Sequence, residues 1–194
     1  MPTNLVTGPA IEPLTVKEAK DHLRVDHGDD DSYIEPLITA VRDHAETYTG
    51  RSLITQTWDY WVNTFPPNGT WLELPLPPLQ SVTSVKYTDT DGVQQTLTSS
   101  VYTVDTNAEA GRITLAYNES WPTVRDVPNA VEIRFVSGYG ATAQDVPEGI
   151  RHAMRMLLGH FYERRETTLV GVPIVGVPQS YEWLLTPYRV MRFA

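Results

Sequence analysis

Ser81-Val82-Thr83-Ser84-Val85-Lys86-Tyr87-Thr88-Asp89-Thr90-Asp91-Gly92-Val93-Gln94-Gln95-Thr96-Leu97 is the stretch whose reading decides the fold class. Residues 82–88 are rich in β-branched and aromatic types, which suit a pleated, half-buried surface. Asp91-Gly92 ahead of Val93 marks a hairpin, with a type I′ turn expected because that turn needs positive φ. The same grammar extends outward on both sides, from Leu53 to Ser137. It predicts strands near 53–64, 71–74, 82–88, 93–97, 101–104, 112–115 and 130–137. Pro66-Pro67-Asn68-Gly69 predicts a further turn, and Pro75, Pro77 and Pro78 forbid a regular central strand where they stand.

Helical grammar flanks this segment. Thr15 and Glu18 fit a capping box, opening a short helix to about Arg24. After the acidic turn Asp26-His27-Gly28-Asp29-Asp30-Asp31, Ser32 with Glu35 offers a second box. Ile34, Leu37, Ile38, Val41, Ala45 and Tyr48 then form one helical face, closed by Gly50. Asp145 as N-cap, Pro147 at N1 and Glu148 in the first turn predict a third helix. Its apolar stripe is Ile150, Met154, Leu157, Leu158 and Phe161. Val170-Gly171-Val172-Pro173 and Val175-Gly176-Val177-Pro178 repeat a pattern that is neither helix nor central strand, and a last short helix spans about Ser180 to Leu185, stopping at Pro187. The fold class predicted is α+β: a small helical bundle core with a β-rich inserted domain and an extended C-terminal arm. Residues 1–52 hold the N-terminal helices, 53–146 the insert, and 147–194 the C-terminal helices with an apolar arm over 167–179.

The chain has 194 residues, 41% hydrophobic and 20% charged, a globular composition. It contains no Cys, which excludes a disulfide framework, a thiolate zinc site and a Cys nucleophile. Fifteen Lys and Arg against 24 Asp and Glu give a net charge of −9, so the overall field repels phosphate and no nonspecific hold on DNA is expected. The imbalance is uneven: residues 1–50 carry 4 basic and 10 acidic side chains, whereas 147–194 carry 6 and 4. The N-terminus does not read as a secretory signal. The longest uncharged apolar run, Leu169 to Pro178, is about half of the roughly 20 residues a bilayer needs, so no membrane association is expected.

Candidate chemistry is sparse. The acidic turn around His27 matches no EF-hand spacing and reads as a solvated, helix-capping turn; Asp89-Thr90-Asp91-Gly92 reads as a hairpin turn. His152 and His160, eight apart on one helix, cannot share a metal without a third element. No G-x-S-x-G, H-E-x-x-H, Walker or dinucleotide pattern is present, and Gly138-Tyr139-Gly140 lacks the third glycine. Hence no catalytic, cofactor or metal residues are assigned. Trp58, Tyr60, Trp61, Trp71 and Trp121 gather in the β-region, with core expected on one side of the Trp58 strand and a partner surface on the other. Leu169–Pro178 cannot easily bury itself in a helical bundle, and in water it would expose a large apolar patch, so it is expected to dock on something.

Several pieces stand in a recognisable order: Glu12-Pro13-Leu14-Thr15, Glu18-Ala19-Lys20, His22-Leu23-Arg24-Val25, the acidic turn, Tyr48-Thr49-Gly50-Arg51 and Ile54-Thr55-Gln56-Thr57-Trp58 come first. Leu74-Pro75, Pro78-Leu79-Gln80-Ser81-Val82, Tyr87 to Gly92 and Phe135 to Gly140 follow. Gly159-His160-Phe161-Tyr162-Glu163-Arg164-Arg165-Glu166 and Leu184-Leu185-Thr186-Pro187-Tyr188-Arg189 complete the series. Together they resemble the head-tail connector (adaptor) proteins of long-tailed bacteriophages and gene-transfer particles, in the version with an inserted β-domain.

The resemblance implies a structural virion protein rather than an enzyme, with no cofactor. It implies a ring, expected to hold twelve copies, beneath the portal protein, extending the DNA channel and docking a stopper, tail terminator or other tail-side protein. Its place would be the neck of the virion, and the host cytoplasm during assembly; packaged DNA would pass without specific binding. On that reading Arg164, Arg165, Leu169, Val170, Val172, Ile174, Val175, Val177, Tyr188 and Arg189 are candidates for the subunit or portal interface. The positive balance of 147–194 leads to the expectation that Arg151, Arg155 and Arg192 join them in meeting acidic neighbours, the alternative being helix-end and intrachain pairing with Glu163 and Glu166, and Asp29, Asp30 and Asp31 are candidates to face the channel. The alternative from another class is a carbohydrate- or host-binding β-module of a virion, suggested by the tryptophans; a small hydrolase has no motif to support it.

Overall fold

The computed structural model describes residues 3–164 and 179–191. The chain is mixed α+β and divides into two compact units. One takes the described residues up to Pro9 together with Thr55–Tyr139, and the other takes Ala10–Ile54 together with the described residues from Gly140 onward.

The first unit holds eight strands: β1 (Thr3–Thr7), β2 (Gln56–Val62), β3 (Trp71–Glu73), β4 (Leu79–Thr88), β5 (Gln94–Thr96), β6 (Tyr102–Asp105), β7 (Arg112–Leu115) and β8 (Val131–Ser137). They form an antiparallel five-stranded sheet, ordered β1-β2-β8-β4-β5, and a three-stranded sheet, ordered β3-β7-β6. β8 is central because its alternation is strict, with Val131, Ile133, Phe135 and Ser137 buried. Register places Tyr60 beside Ile133 and Ile133 beside Val85, and likewise Trp58, Phe135 and Val82 in a row, so three strands supply one apolar face. Leu74, Leu97 and Ile113 close the same core. Phe65 stacks on Trp121 at 4.7 Å between ring centroids. On the opposite face Arg134 donates two bonds to the Asp59 carboxylate, at 2.8 and 2.9 Å, and Lys86 pairs with Glu132.

All seven strands read from the sequence are present, and β1 is an additional one. β1 pairs along β2, Thr3 against Tyr60 and Leu5 against Trp58, and four of its five residues are exposed. Its existence depends on the partner strand, because Gly8-Pro9 marks where it ends but five mostly exposed residues carry no period of their own. The hairpin between β4 and β5 forms, but its turn differs from the type I′ expected. Gly92 alone is left-handed, at φ +86°. The Gly92 N–H donates to the Asp89 carbonyl at 3.0 Å, and the Asp89 carboxylate accepts from the Asp91 and Val93 N–H groups and from Gln95. Those side-chain bonds make the turn, so Asp91 has no need of positive φ.

The second unit holds α1 (Val16–Leu23), α2 (Asp31–Thr49), α3 (Glu148–Glu163) and α4 (Gln179–Leu185). α1 opens on the expected capping box: the Thr15 hydroxyl accepts from the Glu18 N–H, and the Glu18 carboxylate accepts from the Thr15 N–H. α2 closes on Gly50 at φ +70°, a conformation a Cβ would strain. Ile34, Ile38, Val41 and Ala45 pack against Ile150, Ala153, Met154, Leu157 and Leu158 of α3.

Two predicted helix ends are corrected. Ser32 and Glu35 form no capping box, because α2 begins at Asp31 and both residues lie inside it, while Asp30 and Asp31 are taken by tertiary partners. Asp145 does not cap α3: it ends a 3-10 turn, Ala143–Asp145, and accepts from the Thr142 N–H and hydroxyl at 2.8 Å each. Pro147 therefore stands at the N-cap of α3. α4 ends at Leu185, ahead of Pro187, as expected, and Pro187 sits within a further 3-10 turn, Thr186–Tyr188. Leu169–Pro178, expected as an extended arm, lies outside the described residues. No helix among the described residues is long and apolar enough to cross a membrane.

Candidate functional site

The C-terminal segment is built as a strap over α2. Tyr181 and Leu185, one turn apart on α4, point inward and are fully buried. Burial pushes the Tyr181 phenol well above its usual range, and its hydroxyl shares a hydrogen bond of 2.6 Å with His44 Nδ1. The Tyr48 ring packs beside Tyr181, and its hydroxyl reaches Thr186 at 3.2 Å. Further on, the Val190 N–H donates to the Thr49 carbonyl at 2.8 Å, and Arg51 Nε donates to the Tyr188 carbonyl. These two bonds satisfy groups at the end of α2 and in the strap at once. Arg189 stacks over Tyr48 at 5.6 Å, and Tyr188 packs on Gly149. Tyr188 and Arg189 are thus brought onto their own helical unit. Trp183 and Met191, 71% and 70% exposed, are what the strap turns outward. Neither was singled out in the sequence, although Tyr181 and Leu185 at i and i+4 leave Trp183 on the opposite side of the helix.

The C-terminal arginines divide into two sets. Arg151 is only 8% exposed and is held within the chain: Nε donates to the Pro13 carbonyl at 3.1 Å, Nη1 to Glu148 at 2.9 Å, and Nη2 to Glu18. Arg155 also pairs with Glu148. The expectation that these two face acidic partners is therefore corrected, because α1 and the first turn of α3 supply their carboxylates. Burial by itself would raise Glu18, but the Thr15 N–H and hydroxyl and the Arg151 charge hold it below the usual carboxylate range. Glu148 is lowered chiefly by its bond from Arg155. Arg164, at the end of α3, is exposed. Arg165, Leu169, Val170, Val172, Ile174, Val175 and Val177 lie outside the described residues.

The acidic turn is less uniform than its sequence. Asp30 accepts from the Tyr162 hydroxyl, and Asp31 accepts from Lys20 at 2.7 Å, tying the turn to α3 and α1. Asp29 is almost fully exposed, 3.9 Å from His27. Among the described residues no group of three or more His, Cys, Asp or Glu side chains is arranged to hold a metal ion. Of the aromatics in the β-unit, Tyr60 is buried, Trp58 and Trp121 pack against the core, and Trp71 is half-exposed beneath Arg112.

Fold and surfaces together define a class: an α+β protein in which a β-unit interrupts a helical unit that closes with a strapped C-terminus. The chain belongs to the head completion protein family, whose model matches residues 12–176. This agrees with the resemblance read from the sequence. No curated protein matches the chain. Among solved structures it is similar to a protein in the neck of an empty gene transfer agent particle computed with C6 symmetry, with a TM-score of 0.81 at 24% identity. A chain from the virion of a native gene transfer agent particle gives 0.80 at 25%, and one from the neck of a native particle computed with C12 symmetry gives 0.74 at 24%. Each likeness covers 100% of this chain and 98% of the other.

Proposed function

We propose that this chain is a structural protein of the neck of a virion or gene-transfer particle, where copies form a ring, twelve in number, beneath the portal. The ring extends the DNA channel and offers a docking surface to the next head-completion or tail protein, and it performs no catalysis. The family match over residues 12–176 carries this reading, because it spans strands and helices of both units. The net charge of −9 supports it, since an acidic wall does not retain DNA that must pass. Asp29, with Asp30 and Asp31 behind it, is proposed for the channel side. Arg164, Arg165 and the apolar residues 169–177 are proposed for the contact with a neighbouring subunit or the portal, with Tyr188 and Arg189 at its edge.

Light scattering and negative-stain imaging of the purified protein, alone and with its portal protein, test this. A ring in either preparation is the expected result. A chain that stays monomeric with portal present, and does not enter particles, refutes it.

A further inference from the structure

A groove of about 490 Å³ opens on the helical unit, beside the first turns of α2. The buried Leu14 and Ile38 make its floor, Val16 and the exposed Ile11 its apolar walls, and the exposed Glu35 and Gln144 part of its polar rim. Glu35 makes no hydrogen bond or ion pair among the described residues. The strap lies elsewhere on the same helix. His44 and Tyr48, which hold Tyr181, stand about 180° around α2 from Glu35 and Thr39 and about 13 Å further along it, at 3.6 residues per turn and 1.5 Å per residue. From that side α4 turns Trp183 outward, 71% exposed, and its indole N–H has no acceptor among the described residues. Arg189, stacked over Tyr48, has no carboxylate partner among the described residues either, and Met191 is exposed beyond it. Trp, Met and Arg are the residue types enriched at the buried centres of protein interfaces, and the strap presents one of each.

We infer that the groove receives the Trp183 indole of a second copy of this chain. This rests on the ring reading above and names a contact through which neighbouring copies close the ring. The groove is out of reach of its own chain's Trp183, because the body of α2, about 10 Å across with its side chains, stands between them. A tryptophan buries roughly 150–250 Å² of mostly apolar surface, which suits a floor of Leu14 and Ile38. Once buried, its N–H needs an acceptor, and the uncommitted Glu35 carboxylate stands at the rim to supply one. Arg189 brings a positive charge to the same contact, opposite in sign to Glu35. Indole and groove stand on opposite sides of one unit, so the contact is head-to-tail, the kind that closes into a ring, and each copy gives and receives once.

The chain has no Cys, so introduced pairs report without background. Glu182→Cys, next to Trp183, is mixed under mild oxidation with Gln144→Cys, at the groove rim, with portal protein present. A covalent dimer in the mixture, absent from each variant alone, is expected. No dimer, or a double variant that closes only within one chain, overturns the inference. Light scattering of the same samples separates the two readings: a ring without cross-link sinks the groove assignment alone, whereas neither ring nor cross-link sinks both. In a second arm, Trp183→Ala and Ile11→Glu should each reduce the ring to monomer mass while the urea midpoint of the monomer stays unchanged, because both side chains are exposed in the single chain. A Trp183→Ala ring that survives refutes the assignment, and one that survives but no longer binds the portal refutes it in favour of a portal contact for Trp183.

Discussion

Replacing Arg151 by Met keeps the aliphatic stem and removes the guanidinium that joins α3 to α1 and to the turn before it. Three bonds are lost. The one to Glu148 is worth about 0–1 kcal/mol, because that carboxylate is 64% exposed. Glu18 is 34% exposed and keeps its bonds from Thr15, so after screening its loss is about 1 kcal/mol. The Pro13 carbonyl is buried and loses its side-chain partner, which costs about 1–3 kcal/mol. The variant should be destabilised by about 2–5 kcal/mol. With a urea slope of about 2 kcal/mol/M, the midpoint falls by roughly 1–2.5 M. Circular dichroism at 222 nm follows the helices. In a double-mutant cycle with Glu18→Gln, the two losses should fall short of additivity by about 1 kcal/mol. A loss below about 0.5 kcal/mol, or strictly additive losses, would refute the account of Arg151 as an internal clamp.

Phe135→Ala, in the middle of β8, should cost about 3–5 kcal/mol and shift the unfolding seen by tryptophan fluorescence, since four of the five tryptophans lie in the β-unit; an unchanged midpoint would refute the core assignment. Glu18, Glu148 and Asp145 have pKa values below their ordinary ones when folded, so each stabilises the fold above about pH 4 and that stability is lost as pH falls through the lowered values. An acid titration of helix content should show a transition below pH 4 that moves upward in Glu18→Gln; a variant that tracks the parent would contradict this. Asp29→Lys alone should fold normally and give the protein salt-sensitive DNA binding, measured by fluorescence anisotropy; no binding at low salt would place the turn outside the channel.

The elements were legible wherever a local cause sufficed. The strict alternation of Val131, Ile133 and Phe135, the Thr15 and Glu18 capping box, and Gly50 after a sustained helical face each depend on neighbours within a turn or a pleat, and each formed as read. The family resemblance was legible too, because it lay in the order of short motifs along the chain.

What tertiary structure alone decided involves partners distant in sequence. β1 exists because β2 pairs with it; Asp30 caps nothing because Tyr162, 132 residues away, takes its carboxylate. Arg151 reads as one more basic residue of a positive C-terminal region, yet it is an internal clamp once α1 brings Glu18 to it. The outward placement of Trp183 followed only when Tyr181 had docked on His44. Local propensity is set by short-range sterics and hydrogen bonds along the chain. Which charge is paired, and which apolar face is left uncovered, is set by packing between elements, and spacing in a single sequence does not carry that information.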